Sequence, residues 1–334
     1  MGIAISNMIK TKQQPPPQRL PGPVWKNTPS IGSVIRNRWV LTKRLGEGGC
    51  GVVYAVVDKD NPEMRAALKI EPILPKKQDE ILKMEVHVLR RLQHSSHACA
   101  LLACGSEPTY SFMVMSLVGP NLGDLRRATP EQRFTLATAV RLVRQCLEAI
   151  ADLHQAGFVH RDVKPSNYAL GDHEQPDQCR TVFLLDFGLT RCFVKTNTID
   201  GTRQVRAPRK DAAFRGTTRY ASTRVHQKRE QGRCDDVQSL LYMLVEMVRG
   251  ELPWRHAHRA DTPSIKRDIL DAQLYDCCPE ELSQIQAHVR RLRYADEPDY
   301  EWMDEKLNLI LMQRCVTDAD PFDWEENGAL GRDV

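Results

Sequence analysis

The sequence contains no run of the 18 or so apolar residues that a membrane-spanning helix requires, and its start lacks the apolar core of a secretion signal. It has no CxxC pair and no histidine spacing suited to zinc. Its ten cysteines are scattered through apolar stretches, and only Cys277 and Cys278 are neighbours. This pattern excludes a disulfide scaffold and a zinc ribbon, and reads as buried, reduced thiols of a cytosolic protein. Neither sign of charge dominates. With 47 Lys and Arg against 43 Asp and Glu, the net charge of +4 does not indicate a nucleic-acid partner. No internal repeat is present. The expectation is a soluble chain of the cytoplasm, with the nucleus also open to it.

What is there begins with a leader. Residues 1–33 hold six prolines between Pro15 and Pro29, with Gln, Ser and Asn and few apolar residues, so no core can form there. From Trp39 to Ile70, apolar alternation predicts three strands, broken by the glycine cluster at 46–51 and by Asn61-Pro62. A helix is predicted over Gln78–Leu92, with Ile81, Leu82, Val88, Leu89 and Leu92 on one stripe. Glu85 lies on that same stripe, and a carboxylate on a buried face needs a cation. Short strands over 100–104 and 110–115 complete a first lobe, residues 34–115. A hinge is expected at 116–120, a mainly helical lobe over 121–324 and a short tail at 325–334. In the helical lobe, Val140, Val143, Leu147, Ile150 and Leu153 mark one long helix and Leu240 to Val248 a second.

The most informative run is HRDVKPSN, His160–Asn167, followed by LLDFGL at 184–189. Transfer of a phosphoryl group from ATP needs a group that orients the accepting hydroxyl and oxygen ligands for magnesium. Asp162 suits the first role, and Asn167 and Asp186 supply metal ligands of the hard-oxygen type. Lys164 marks the serine/threonine version of such a loop and can neutralise the transferring phosphate. His160 is expected to be structural, packing against Phe187. Leu45, Gly46, Glu47, Gly48, Gly49, Cys50 and Gly51 form a GxGxxG turn between strands, where bare backbone can approach phosphates. Val53 would cover the adenine, and Ala67 and Leu117 are further candidate ATP-binding residues. Lys69 would meet Glu85 and bind the α- and β-phosphates. Met115, at the end of the strand before the hinge, would gate the cavity behind the base. The fold expected is α+β, in the bilobal protein-kinase form. A five-stranded antiparallel sheet with one helix makes the small lobe, and ATP and Mg²⁺ sit in the cleft.

The runs LKMEVHVLRRLQ (82–93), GFVHRDVKPSNYAL (157–170), LLDFGLTR (184–191), FRGTTRYAS (214–222), DDVQSLLYMLVEM (235–247), GELPW (250–254) and DPFDWE (320–325) make a more specific resemblance. Over about Trp39–Trp324 the chain resembles the casein kinase I group and, within it, the tau-tubulin kinases. The resemblance implies phosphorylation of serine or threonine in proteins, with cytoskeletal substrates among them; the chain is expected to be a monomer. It also implies that Arg161 and Arg219 bind phosphate from a primed substrate, and that Asp236 anchors the catalytic loop. Two positions depart from the pattern. Ser222-Thr223-Arg224 stands where other kinases close the activation segment with Ala-Pro-Glu, and Gln238 stands where relatives carry a bulkier or acidic residue.

The segment 191–224 is rich in arginine and lysine, which favours acidic or already phosphorylated targets. It lacks the stacking aromatics of a single-strand nucleic-acid surface. Gly2 sits in an M-G-x-x-x-[ST] pattern, so membrane contact is expected only if Gly2 is myristoylated, and then weakly. One rival reading, a catalytically dead scaffold, is disfavoured because Lys69, Glu85, Asp162, Asn167 and Asp186 are all present; a second, a cytoskeletal binding module, would be favoured by co-sedimentation with microtubules in the absence of ATP.

Overall fold

A computed structural model of the chain describes residues 28–48, 51–73, 81–198 and 200–325. Gly2, Gly49, Cys50 and most of the leader and tail lie outside them. The first lobe is a sheet of β1 (Val34–Ile35), β2 (Trp39–Gly48), β3 (Gly51–Asp58), β4 (Arg65–Pro72), β5 (Leu101–Ser106) and β6 (Tyr110–Ser116), with α1 (Ile81–Arg91) between β4 and β5. The strands are antiparallel in the order β1-β2-β3-β4-β6-β5. The sheet therefore has six strands rather than five. The added strand is two residues long, with Ile35 opposite Trp39, too short to leave an alternation signal.

Period-two alternation sorts the sheet's side chains into two layers. Trp39, Leu41, Tyr54, Val56, Leu68, Ile70, Phe112 and Val114 pack together on one face. Val53, Ala67, Lys69, Met113 and Met115 turn to the other, toward the second lobe. The buried stripe of α1 (Leu82, Glu85, Val88 and Leu89) closes that side.

The second lobe opens with β7 (Val118–Asn121), α2 (Leu122–Ala128) and α3 (Leu136–Gln155). The expected hinge is thus partly strand, because Val118–Asn121 pairs with β9 (Tyr168–Gly171), which also pairs with β10 (Val182–Leu184). Strand β8 (Phe158–Val159) follows α3 and precedes β9 in the chain. Next come β11 (Arg191–Cys192), paired with β8, and the hairpin of β12 (Val194–Thr196) and β13 (Arg203–Val205). The helices that follow are α4 (Thr223–His226), α5 (Arg233–Arg249), α6 (Thr262–Asp268), α7 (Asp271–Leu274), α8 (Glu280–Arg291) and α9 (Tyr300–Met312).

Helix α3 is the axis of this lobe. Val140, Val143, Leu147, Ile150 and Leu153 are all buried in the large core shared with α5 and α9. The DPFDWE run fixes the start of α3. Asp323 accepts from Thr135 N–H (2.7 Å), Thr135 Oγ1 (2.6 Å) and Thr138 Oγ1 (2.8 Å), and Arg141 stacks on Phe322. The nine described cysteines are all free thiols, but only Cys99, Cys146 and Cys234 are buried. Sequence context overstated their burial because neighbouring apolar residues alternate between faces.

Candidate active site

A cleft of about 550 Å³ opens between the lobes. Leu45, Gly46, Glu47, Gly48, Gly51, Val53, Ala67, Lys69, Glu85, Met115, Leu117, Asn167 and Asp186 all line it. Every expected cleft residue within the described chain is therefore in one place. Lys69, on β4, and Glu85, on α1, meet as a buried pair, with Lys69 Nζ 2.6 and 2.7 Å from the two carboxylate oxygens. Burial raises the Glu85 carboxyl above the usual glutamate range. Lys69 opposes that rise, while Asp186 and Glu71 add to it.

Sequence reading missed Glu71. It lies two residues beyond Lys69 on β4, and its carboxylate accepts from the first two N–H groups of α1, Ile81 (3.0 Å) and Leu82 (2.8 Å). An anion at a helix N-terminus is favourable, so Glu71 docks the helix that carries Glu85 onto the strand that carries Lys69. Gly188 closes the other side of α1. A Cβ there would lie 2.7 Å from Ile81 Cγ2 and 3.1 Å from Glu85 Oε1.

The catalytic-loop run hangs from Asp236 near the start of α5. Its Oδ2 accepts from His160 N–H (2.7 Å) and its Oδ1 from Arg161 N–H (2.8 Å). His154 stands behind, with Nε2 at 3.0 Å from Asp236 Oδ2 and Nδ1 at 2.5 Å from the Tyr300 hydroxyl. Burial lowers the His154 pKa, so the ring is neutral; Nε2–H donates to Asp236, and Nδ1 accepts from Tyr300. His160 has no free nitrogen: Nδ1 accepts from Asp162 N–H (3.3 Å) and Nε2 donates to the Leu185 carbonyl (3.1 Å). Its ring meets Phe187 edge-on at 5.9 Å. It is a packing residue, as expected.

Asp162 holds a fixed orientation. Lys164 Nζ is 2.5 Å from its Oδ2, and the Thr217 hydroxyl donates to its Oδ1 at 2.7 Å. Thr217 is a second residue that sequence reading missed, although it falls in the RGTTRYAS run. Asn167 Nδ2 donates to the Asp162 carbonyl (2.9 Å). Two non-glycine residues here adopt left-handed backbone, Arg161 (φ 68°) and Asp186 (φ 61°). Such conformations persist only where the surroundings enforce them, and they concentrate at functional sites. At Gly216, φ is +99° and a Cβ would sit 2.3 Å from the Arg161 carbonyl oxygen, so only glycine lets the activation segment lie this close to the catalytic loop.

The structure does not bring Arg161 and Arg219 to a common partner. Arg161 turns inward, and its Nε donates to the Leu189 carbonyl at 2.6 Å. Burial, with Arg191 and Arg209 nearby, lowers its pKa to about 10. Arg219 is partly exposed and pairs with the buried Glu246 at 3.2 Å; Glu246 also accepts from the Tyr220 hydroxyl (2.6 Å). The two arginines lie in adjacent runs of loop whose side chains diverge, which spacing could not reveal.

The residues that replace Ala-Pro-Glu tie the segment down in another way. Ser222 Oγ donates to Asp235 Oδ1 (2.5 Å), and Arg224 donates to the Leu292 carbonyl (2.6 Å). Lys266 of α6 donates to the carbonyls of Thr218 (2.7 Å) and Ala221 (2.6 Å), with its ammonium over Tyr242 and Trp254. Gln238 Nε2 donates to Gln286 Oε1 at 3.0 Å, a buried amide pair.

Comparison with known proteins agrees with this geometry. The protein kinase domain model matches residues 39–316. A probable serine/threonine-protein kinase of Dictyostelium discoideum is 36% identical over 297 residues, covering 89% of this chain and 58% of that one. A casein kinase I-like chain of Caenorhabditis elegans is 36% identical over 303 residues, 88% of this chain and 85% of its own. A chain of the same organism named inactive tau-tubulin kinase is 32% identical over 249 residues, 72% of this chain and 86% of its own. The sheet lobe, the helical lobe and the cleft between them are the bilobal kinase fold, and the chain belongs to the protein kinase family.

Proposed function

We propose that the chain is an Mg-ATP-dependent serine/threonine protein kinase of the casein kinase I group, nearest the tau-tubulin kinase branch. The observation that carries the phosphotransfer is the complete constellation: the Lys69–Glu85 pair at 2.6 Å, Asp162 oriented by Lys164 and Thr217, and Asn167 and Asp186 in the same cleft; the branch is proposed from the resemblance of the sequence runs alone. Lys69 holds the α- and β-phosphates. Asp162 orients the accepting hydroxyl and takes its proton, while Lys164 faces the charge that develops on the γ-phosphoryl group. Met115, Ala67, Val53 and Leu117 enclose the adenine.

The donor set fits magnesium. Asn167 commits its amide nitrogen to the Asp162 carbonyl, which leaves its oxygen as a ligand, and Asp186 supplies a carboxylate. Among the described residues no cluster of three or more His, Cys, Asp or Glu could hold a metal alone. This suits an ion held by one or two protein oxygens together with substrate phosphates. Bound there, magnesium would neutralise phosphate charge.

Substrates are proteins, cytoskeletal ones among them, with acidic or primed sites preferred. Arg219 supports that preference, being a partly exposed guanidinium on the segment that would face the peptide. The test is turnover of purified chain on matched primed and unprimed serine peptides with Mg-ATP. Arg219→Ala should slow the primed peptide selectively, by roughly tenfold or more for one charge-assisted contact. Equal loss on both peptides would place the anion site elsewhere, and no turnover on any peptide would end the kinase reading itself.

A further inference from the structure

We propose that the hollow between α4, α5 and the end of α8 is a docking site for an acidic segment of a protein substrate, separate from the cleft where phosphate is transferred. The phosphotransfer reading above is needed only to call that partner a substrate. The hollow holds about 370 Å³, and five arginines line it from two stretches far apart in the chain. Arg224 and Arg229 come from α4 and the turn after it, and Arg290, Arg291 and Arg293 from the end of α8 and just beyond. Among the described lining residues Asp235 is the one carboxylate, and both its oxygens are engaged. Its Oδ1 accepts from the Ser222 hydroxyl (2.5 Å) and its Oδ2 from Gly232 N–H (2.8 Å).

Nearby arginines of this lobe are met from within the chain. Arg233 pairs with Glu297 (3.2 Å), Arg249 with Asp276 (2.7 Å) and Arg290 with Asp271 (2.6 Å). Arg229, Arg291 and Arg293 differ: they are exposed, and no carboxylate among the described residues pairs with them. Arg224, half-buried in the same lining, donates to the Leu292 carbonyl at 2.6 Å, while its Nε is buried without a hydrogen-bond partner. A buried donor left unmet is costly, and guanidinium groups gathered round one concavity repel one another. An anion from outside relieves that repulsion and gives the N–H groups acceptors. The run that other kinases close with Ala-Pro-Glu ends here in Arg224, so a cation stands at this joint in place of a carboxylate.

The lining also selects the kind of anion. It contains no aromatic side chain, so the bases of a nucleic acid would find nothing to stack on. Val289, Leu292 and Cys234 are its apolar members, too few to seat an apolar helix or a membrane-inserting segment. Separate guanidinium forks around an open hollow suit several carboxylates carried on one extended peptide. The hollow adjoins the end of the activation segment, whose Gly216 lies against the catalytic loop. A substrate tethered there offers its hydroxyl to the cleft at raised effective concentration, an effect that acts on KM rather than kcat.

The test measures binding first, on the full chain without ATP. A fluorescent peptide of eight glutamates should bind the parent, a matched peptide of eight glutamines should not, and added salt should weaken the complex. Arg229→Ala/Arg291→Ala/Arg293→Ala should weaken it roughly tenfold, a few-fold for each wet charge, whereas Arg219→Ala should leave it unchanged. The three side chains make no internal ion pair, so the triple variant should fold and should turn over a short neutral serine peptide as the parent does. Joined to that serine peptide by a Gly-rich linker, the glutamate segment should lower KM at constant kcat in the parent, and the triple variant should lose the gain. A triple variant that binds the glutamate peptide as tightly as the parent overturns the inference, as does a loss confined to Arg219→Ala. So does tighter binding of a single-stranded oligonucleotide or of anionic vesicles that depends on the same three arginines. Binding that brings no fall in KM overturns the assignment of the partner as a substrate. A parent without turnover on either peptide ends the phosphotransfer reading instead, and the binding measurement still decides the site.

Discussion

Replacing Lys69 by methionine should expose how much the buried pair contributes, and its pH dependence should identify the cause. Glu85 is 2% exposed, with Lys69 Nζ at 2.6 and 2.7 Å and with Asp186 and Glu71 both pushing its pKa upward. Once the ammonium is gone, an ionised Glu85 has no compensation, and its cheapest escape is to take up a proton. From an ordinary glutamate value of 4.5, protonation at pH 7 spans about 2.5 pH units at about 1.36 kcal/mol each, so the deficit is capped near 3.4 kcal/mol. That lies in the range of roughly 3–5 kcal/mol expected on breaking a buried pair. The sign follows from proton counts. Above pH 4.5 the folded variant holds a proton that its unfolded chain has released, so its stability falls as pH rises, by up to about 1.4 kcal/mol per pH unit. Because Glu85 is already pushed upward in the parent, the deficit against the parent should shrink to no more than about 0.7 kcal/mol at pH 5 on the same arithmetic. Urea unfolding of parent and Lys69→Met at pH 5, 6, 7 and 8 measures it. Adding Glu85→Gln should remove the slope and recover most of the stability, without restoring turnover. A deficit that is the same at pH 5 and pH 7, or that survives Glu85→Gln, would refute the reasoning.

Asp162→Asn should keep the fold and nucleotide binding while lowering kcat by roughly 10²–10⁴, the usual reach of a positioned base; turnover within twofold of the parent would remove Asp162 from that role. Met115→Gly should admit ATP analogues with bulky N6 substituents that the parent excludes, and an active variant with no such gain would move the gate elsewhere in the cleft. Gly216→Ala should destabilise by about 1–3 kcal/mol and lower kcat, because the new Cβ cannot sit 2.3 Å from the Arg161 carbonyl unless the catalytic loop shifts. Thermal melts and steady-state rates check both effects, and a variant unchanged in each would show that the loop yields freely.

Much of this protein was legible one residue at a time. Alternation placed the three strands between Trp39 and Ile70, the period of 3.6 placed α1, and Glu85 on an apolar stripe announced that a cation must meet it. These signals are local, since side-chain period and desolvation cost depend on a residue and its near neighbours in the chain. Long-range partnership is a different matter. Glu71 under the start of α1, Thr217 on Asp162 and the divergence of Arg161 from Arg219 are settled by where separate segments dock. Glu230 is the clearest case. A lone glutamate between α4 and α5 carries no pattern, and its surroundings are assembled from the catalytic loop, from β11 and from the stretch after β13. The left-handed turns at Arg161 and Asp186 are likewise imposed from outside, by Asp236, Gly216 and the packing of Phe187. The sequence by itself determined which elements form and which chemistry they carry. Only the tertiary structure decided which charges meet, because a charge is satisfied by whatever lies within a few ångströms of it in space, however distant that partner is along the chain.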